Sequence, residues 1–310
     1  MAPRRRAARG DAAIPAAPEA RPPVQPSPAL LAEGRRVGDA GLRVRVARAG
    51  ARWLLVALAL AAAADCPAAE RRPLELKMAA PSLNQASRSV RVYLPSSYDR
   101  PEARARRYPV VFLLHGWPGG EGNWPGEGGA TKTLDSLMAS GAIPEMIAVM
   151  PSGTGIGLLG RSLYVNSYDG RSRMEDYVVR DLVTWVDSAF RTRREARARA
   201  LVGSHSGAFE LDKGLGEGKI VGPEPEATRL RRENSPLEYV DRVAPRLQGM
   251  AIYFDCGLED DELAQNRALD RALTRLGVPH TYHEYPGGHG WGYWRGHLHE
   301  SLRAIAARMR

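Results

Sequence analysis

"YPVVFLLHGWPGG", Tyr108 to Gly120, decides the fold. From Val110 to Leu114 every residue is apolar, and the run then breaks at His115 into a glycine-rich turn. An unbroken apolar run of this length suits a parallel strand buried on both faces, since a half-exposed strand alternates instead. "PEMIAVMPSG", Pro144 to Gly153, is a second run of the same kind. Between them Leu134, Leu137 and Met138 mark a helix that stops near Gly141. Upstream, "LELKM" and "SVRVYLP" (Ser89 to Pro95) alternate with period two and read as an opening pair of strands.

Downstream the alternation of strand and helix continues. Val178, Leu182, Trp185, Val186 and Ala189 form one apolar stripe on a helix over 174–189. "RALVG" is the next strand and "MAIYFDCG" (Met250 to Gly257) another. Leu269, Ala272, Leu273 and Leu276 line a helix closed by Gly277, with Pro279 just beyond. "HTYHEY" is the last strand, and Leu298, Leu302, Ile305 and Met309 stripe the closing helix. The expected fold class is α/β: a mostly parallel sheet covered by helices on both faces.

Charge separates the ends of the chain. The 310 residues carry a net charge of +9, with 44% hydrophobic and 25% charged residues. Residues 1–69 hold 11 Arg and no Lys against 5 acids; the remainder holds 33 basic and 30 acidic side chains. A nearly balanced main body leaves no electrostatic footprint for nucleic acid. Residues 1–50 are rich in Ala, Arg and Pro without apolar periodicity, and are expected to be a disordered extension. Residues 51–69 follow Arg43, Arg45, Arg48 and Arg52 with an apolar run from Trp53 to Ala64. That is the layout of a signal peptide, too short to span a membrane. Cleavage near Ala64 or Ala68 and a translation start near Val37 or Val44 are the matching expectations. Residues 70–310 then form the catalytic-sized domain, exported, with no stable membrane span. Cys256 ends an apolar strand and reads as a small buried hydrophobe.

In an open α/β sheet the reactive groups gather at the carboxyl ends of the strands. Three loops stand there: "HGWPGGEGNWPG" from His115, "GLEDDE" with Asp260 or Asp261, and "PGGHGW" with His289. The first can aim backbone N–H groups at a developing oxyanion, with Trp117 N–H as a donor and His115 as a prop. The order nucleophile, acid, histidine is that of an α/β-hydrolase triad. No metal site is expected: His297 and His299 are two apart on a helix, and His280 and His283 three apart on a strand, so neither pair converges. Trp117, Trp124, Trp291 and Trp294 are expected near the site mouth, as core packing or as a stacking wall for an aromatic or sugar ring.

The stretches "RSVRVYLPSSYD", "RYPVVFLLHGWPGG", "YVNSYDGRSRMEDYVVRDLVTWVD", "YFDCGLEDDELAQNRAL" and "EYPGGHGWGYW" resemble an esterase family of α/β hydrolases. It includes formylglutathione hydrolases, feruloyl esterases and mycobacterial mycolyltransferases. The resemblance implies a serine esterase without cofactor, with Asp260 as triad acid, His289 as general base and Trp117 N–H as half of the oxyanion hole. Family members also carry a strand ending in G-x-S-x-G, then a helix and a strand, before a segment resembling "GSHSGAFE". Here that segment follows "RAL" directly, so the chain is expected to be one βα unit short between about Arg199 and Gly203. The glycines at the nucleophile spacing, Gly203 and Gly207, bracket His205, whose expected role is an ordinary loop hydrogen bond. Ser206, between Ser204 and Ala208, satisfies the small-neighbour rule of a nucleophile turn, with Gly207 N–H as second oxyanion donor. The alternative is an inactive relative that binds a small acyl or carbohydrate ligand. Glu210, Asp212 and Arg229, Arg231 and Arg232 are expected as solvated charges.

Overall fold

The computed structural model describes residues 71–155, 163–203, 205–211 and 218–309. The expectations for residues 1–50 and 51–69, and for Ser204 and Asp212, lie outside the described residues. One compact unit spans Pro67–Arg310.

Strands β1 (Leu74–Ala80) and β2 (Ala86–Tyr93) form the antiparallel opening pair read from the alternation. The continuous apolar runs become β3 (Val110–Leu113) and β4 (Ile147–Pro151), every residue of which is buried. With β5 (Arg199–Val202) they complete a five-stranded sheet of order β1-β2-β4-β3-β5, in which β3 pairs parallel with both β4 and β5. Helix α1 (Ala130–Ala139) joins β3 to β4. The apolar stripe over 174–189 becomes α2, three consecutive helical segments: Met174–Asp176, a π-helical Tyr177–Leu182 and Val183–Ala189.

Burial on both faces follows from the period of two along each strand. Val111, Leu113, Ala148 and Met150 point into one core with α1 and the closing helix, α7 (Trp291–Ala306). Val110, Phe112, Ile147 and Val149 point into the other, against Tyr177, Leu182 and Val186 of α2. Each such side chain contributes about 1.5–3 kcal/mol of burial. That is why the centre of the sheet tolerates no polar residue.

The far side of the sheet departs from a single continuous array. Strands β6 (Tyr253–Gly257) and β7 (Thr281–Tyr285) pair parallel as a separate two-stranded unit. Its core is Phe254, Val240 and Ala244 of α5 (Pro236–Leu247), and Leu269 and Leu273 of α6 (Leu263–Arg275). Two short helices, α3 (Gly218–Val221) and α4 (Glu226–Asn234), precede α5. The two sheets meet at one parallel bridge, His205 with Asp255, and at Ser206 N–H, which donates to Asp255 O at 2.8 Å. The physical reason is length. Only Gly203 and Ser204 separate β5 from His205, so one segment serves β3 at its start and β6 at its end.

Candidate active site

The acid and the base are held by an interlock of two strand ends. Leu258 N–H donates to Tyr285 O at 2.9 Å, and Glu259 N–H to Gly287 O at 3.0 Å. The backbones approach so closely that a Cβ on Gly257 would overlap the Gly287 carbonyl, and Gly287 itself has φ +123°. Glycine is required at both places. This brings His289 Nδ1 to 3.1 and 3.2 Å from the two Asp260 carboxylate oxygens. The Asp260 side chain is wholly buried and also accepts from Glu262 N–H at 2.9 Å, while half of the His289 side chain is exposed. A buried carboxylate on Nδ1 leaves Nε2 of the imidazole facing outward, which is the arrangement a general base needs. Asp260, rather than its neighbour Asp261, is therefore the acid in contact with His289.

His289 opens on a cavity of about 430 Å³, whose walls include His115, Trp117, Ser206, Gly207 and Trp294. All the residues expected at the site thus line one cleft or stand directly behind it. Trp124, Trp291 and Trp294 are stacked edge to face along one wall, with ring centroids 5.1 and 4.9 Å apart. Trp294 meets the His289 ring edge-on at 5.1 Å. Trp124 is buried and donates its indole N–H to Leu114 O at 2.8 Å, whereas Trp117 is 45% exposed. Packing and wall are the same residues here.

Ser206 has φ +58°, a left-handed backbone uncommon for a serine, and is buried. Its hydroxyl faces the Cys256 thiol of β6 and makes no hydrogen bond to an oxygen or nitrogen among the described residues. A Cβ on Gly207 beside it would meet the Phe209 ring at 2.5 Å, so any side chain there would have to displace that ring. Residues 207–211 are not helical. Among the described residues the hydrogen bonds of His289 go to Asp260 alone, so the serine–histidine bond of a triad is not made in this conformation. Burial pushes the Cys256 thiol up to about 12, which keeps it an inert buried thiol.

His205 is not the loop imidazole expected from the sequence. It is buried, with Nδ1 2.8 Å from the fully buried Asp255 carboxylate and Nε2 3.1 Å from Ser301 Oγ of α7. The sequence signal was Asp255 itself, an acid inside the apolar run "AIYFDCG" that has to find a buried partner. His280 and His283 diverge as expected, His280 turning to Asp270 at 3.0 Å. Glu210 is exposed, and Arg229 pairs on the surface of α4 with Glu226 and Glu233. Arg231 is less solvated than expected, with its side chain 18% exposed against Glu224.

A sheet of this topology with a carboxylate–histidine pair at two strand ends defines an α/β hydrolase. The model of the family described as "Putative esterase" matches residues 81–210 and 225–305, and the chain belongs to that family. Among its relatives is Esterase Rv1288 of Mycobacterium tuberculosis, 28% identical over 252 residues, covering 64% of this chain and 52% of that protein. The chain thus spans about half the length of that curated relative. Among solved structures, a ferulic acid esterase superposes with a TM-score of 0.68 at 22% identity, covering 77% of this chain and 98% of that one. A Staphylococcus aureus protein titled fluorophosphonate-binding serine hydrolase F gives 0.63 at 17%, covering 76% and 98%. These likenesses establish an α/β-hydrolase fold and a carboxylic-ester hydrolase family.

Proposed function

We propose that this chain hydrolyses carboxylic esters by acyl transfer through Ser206, with His289 as general base and Asp260 holding its tautomer. The observation that carries the reading is the Asp260–His289 pair opening on the same cleft as Ser206. In this reaction His289 Nε2 takes the Ser206 proton as Oγ attacks the ester carbonyl. The backbone N–H groups of Trp117 and Gly207 receive the oxyanion, and His289 returns the proton to the leaving alkoxide. Water then repeats the sequence on the acyl-serine. The left-handed backbone of Ser206 at a strand end supports the assignment, since nucleophile turns are strained in this way. The missing Ser206–His289 bond closes on substrate binding, as catalytic hydrogen bonds often tighten only in the complex. The wall of tryptophans suits a flat acyl group or a sugar ring.

A second reading, binding of an acyl or carbohydrate ligand without turnover, is favoured by the absence of a helix between Gly207 and Leu211 to hold the turn. A fluorophosphonate probe separates the two. Labelling of the wild type that disappears in Ser206→Ala and in His289→Ala supports hydrolysis. An unlabelled protein with a cooperative melt overturns it in favour of the binding reading.

We also propose that the chain is one βα unit short. The single segment from β5 to His205 reaches both β3 and β6. In addition, the 252-position alignment with the mycobacterial esterase is longer than the 64% of this chain it covers, so this chain carries gaps against it. Export is proposed from the signal-like residues 51–69. A secreted form whose N-terminus lies before Arg35 would overturn the proposed start and cleavage sites.

A further inference from the structure

The turn after β3 is tied to the turn after β4 by one imidazole. Gly153 N–H donates to His115 Nε2 at 2.8 Å in a buried contact. His115 Nδ1 lies 2.8 Å from Gly116 O, and a carbonyl accepts only from a protonated nitrogen. The ring is therefore the neutral Nδ1–H tautomer, with the Nε2 lone pair committed to Gly153. Both flanks of the contact are fixed. Tyr164 Oη donates to His115 O at 3.0 Å, and the Tyr164 ring lies so close over Gly153 that a Cβ there would overlap it. From β2, the Arg88 guanidinium holds the carbonyls of Ser152 and Thr154 on either side of Gly153.

We propose that His115 is a positioning residue that works only when neutral: it fixes the Gly116–Trp117 backbone at the cleft, and protonation at Nε2 releases that backbone from Gly153. A second proton would set two N–H donors against each other at 2.8 Å. The groups facing the ring are Glu121 from its own turn, Arg88 from β2 and the Tyr164 hydroxyl. Burial lowers the His115 pKa from 6.5, and the Arg88 charge adds to that, while the Gly116 carbonyl and Glu121 oppose it. The neutral form therefore contributes stability that is whole above the ordinary value of 6.5 and is lost as pH falls through the lowered folded value.

The inference rests on the ester-site reading for its catalytic consequence, but not for the clamp itself. The test uses the full chain with ¹⁵N-histidine and ¹⁵N-glycine labels. Long-range proton–nitrogen spectra are expected to show His115 with its proton on Nδ1 and Nε2 bare at pH 7, and a Gly153 amide that shifts as His115 titrates. His115→Gln, which keeps an acceptor near the Nε2 position, is expected to hold kcat/KM for a p-nitrophenyl ester within about threefold while losing one acid limb of the pH profile. His115→Phe, which keeps the ring but no acceptor, is expected to lose kcat on the order of 10²-fold, the cost of misplacing a reacting geometry by about 1 Å. A proton on Nε2, or a Gly153 amide unmoved in folded His115→Phe, overturns the proposal. If no variant or wild type hydrolyses ester, the ester-site reading fails while the ring tautomer and the Gly153 shift still decide the clamp.

Discussion

His205 and His289 face two buried aspartates, Asp255 within β6 and Asp260 in the turn after it, and the difference between them is what lies on the far side of each ring. His289 has open cleft beyond Nε2 and half its side chain exposed; His205 has Ser301 beyond Nε2 and almost no exposure. The first can therefore move protons to and from a ligand, and the second cannot. Replacing Asp260 by Asn tests the first. The amide no longer fixes Nδ1–H toward itself, so kcat/KM is expected to fall by roughly 10²–10⁴ with KM nearly unchanged. An equivalent rise in KM with kcat unchanged would point to a substrate-binding role instead. For the second, His205→Ala leaves the buried Asp255 carboxylate without its imidazole and with only the Tyr253 and Tyr293 hydroxyls beside it, and breaking a buried pair in this way costs up to about 3–5 kcal/mol. In a folded unit of this size that corresponds to a drop of roughly 10 °C in Tm. A melt within about 2 °C of wild type would mean that Asp255 takes another partner.

The strand elements were legible because burial on both faces writes an unbroken apolar run: Val110–Leu113 and Ile147–Pro151 are read from the sequence with no other information. Period-3.6 stripes gave α1, α2, α6 and α7 in the same way, but not α3, α4 and α5, nor the π-helical stretch Tyr177–Leu182 inside α2, which side-chain periodicity does not report. What stayed illegible is pairing between elements far apart in sequence. Asp255 signalled a buried acid, but nothing in "YFDCG" names His205 as its neighbour, and nothing shows that β6 and β7 separate from the main sheet. The site was legible only as an order of strand ends, with the acid and base chosen by family resemblance. Its precision comes from the interlock of the β6 and β7 exits. Gly257→Ala places a Cβ on the Gly287 carbonyl, where backbone on both sides is hydrogen-bonded and cannot withdraw. The expected outcome is a loss of about 1–3 kcal/mol, toward the upper end, with His289 displaced from Asp260. Chemical denaturation and the His289 ring resonances check both parts; unchanged resonances in a merely destabilised protein would separate the interlock from the site.

At the scale of the whole molecule, the weak line runs between β5 and β6. β5 is four residues long, Leu201 on it is 51% exposed, and among the described residues His205, through its backbone bridge and its imidazole on Asp255, and the Ser206 amide make the link to the second sheet. A strand added there would cover Leu201 and pair both open edges, and a helix after it would hold the nucleophile turn by its N-terminus. The proposal of a missing βα unit thus has a constructive test. A strand and helix carrying G-x-S-x-G, of roughly 20–25 residues on average element lengths, would be inserted between Arg199 and Gly203 from a family member. Because the added helix would hold the second oxyanion donor that the shortened turn leaves without support, the graft is expected to raise ester hydrolysis by about 10²–10³. It should also raise Tm and move fluorophosphonate labelling to the inserted serine. A graft that folds cooperatively while labelling stays on Ser206 would show that this chain has settled its chemistry on the shortened segment. The sheet gap would then be a working feature of this fold.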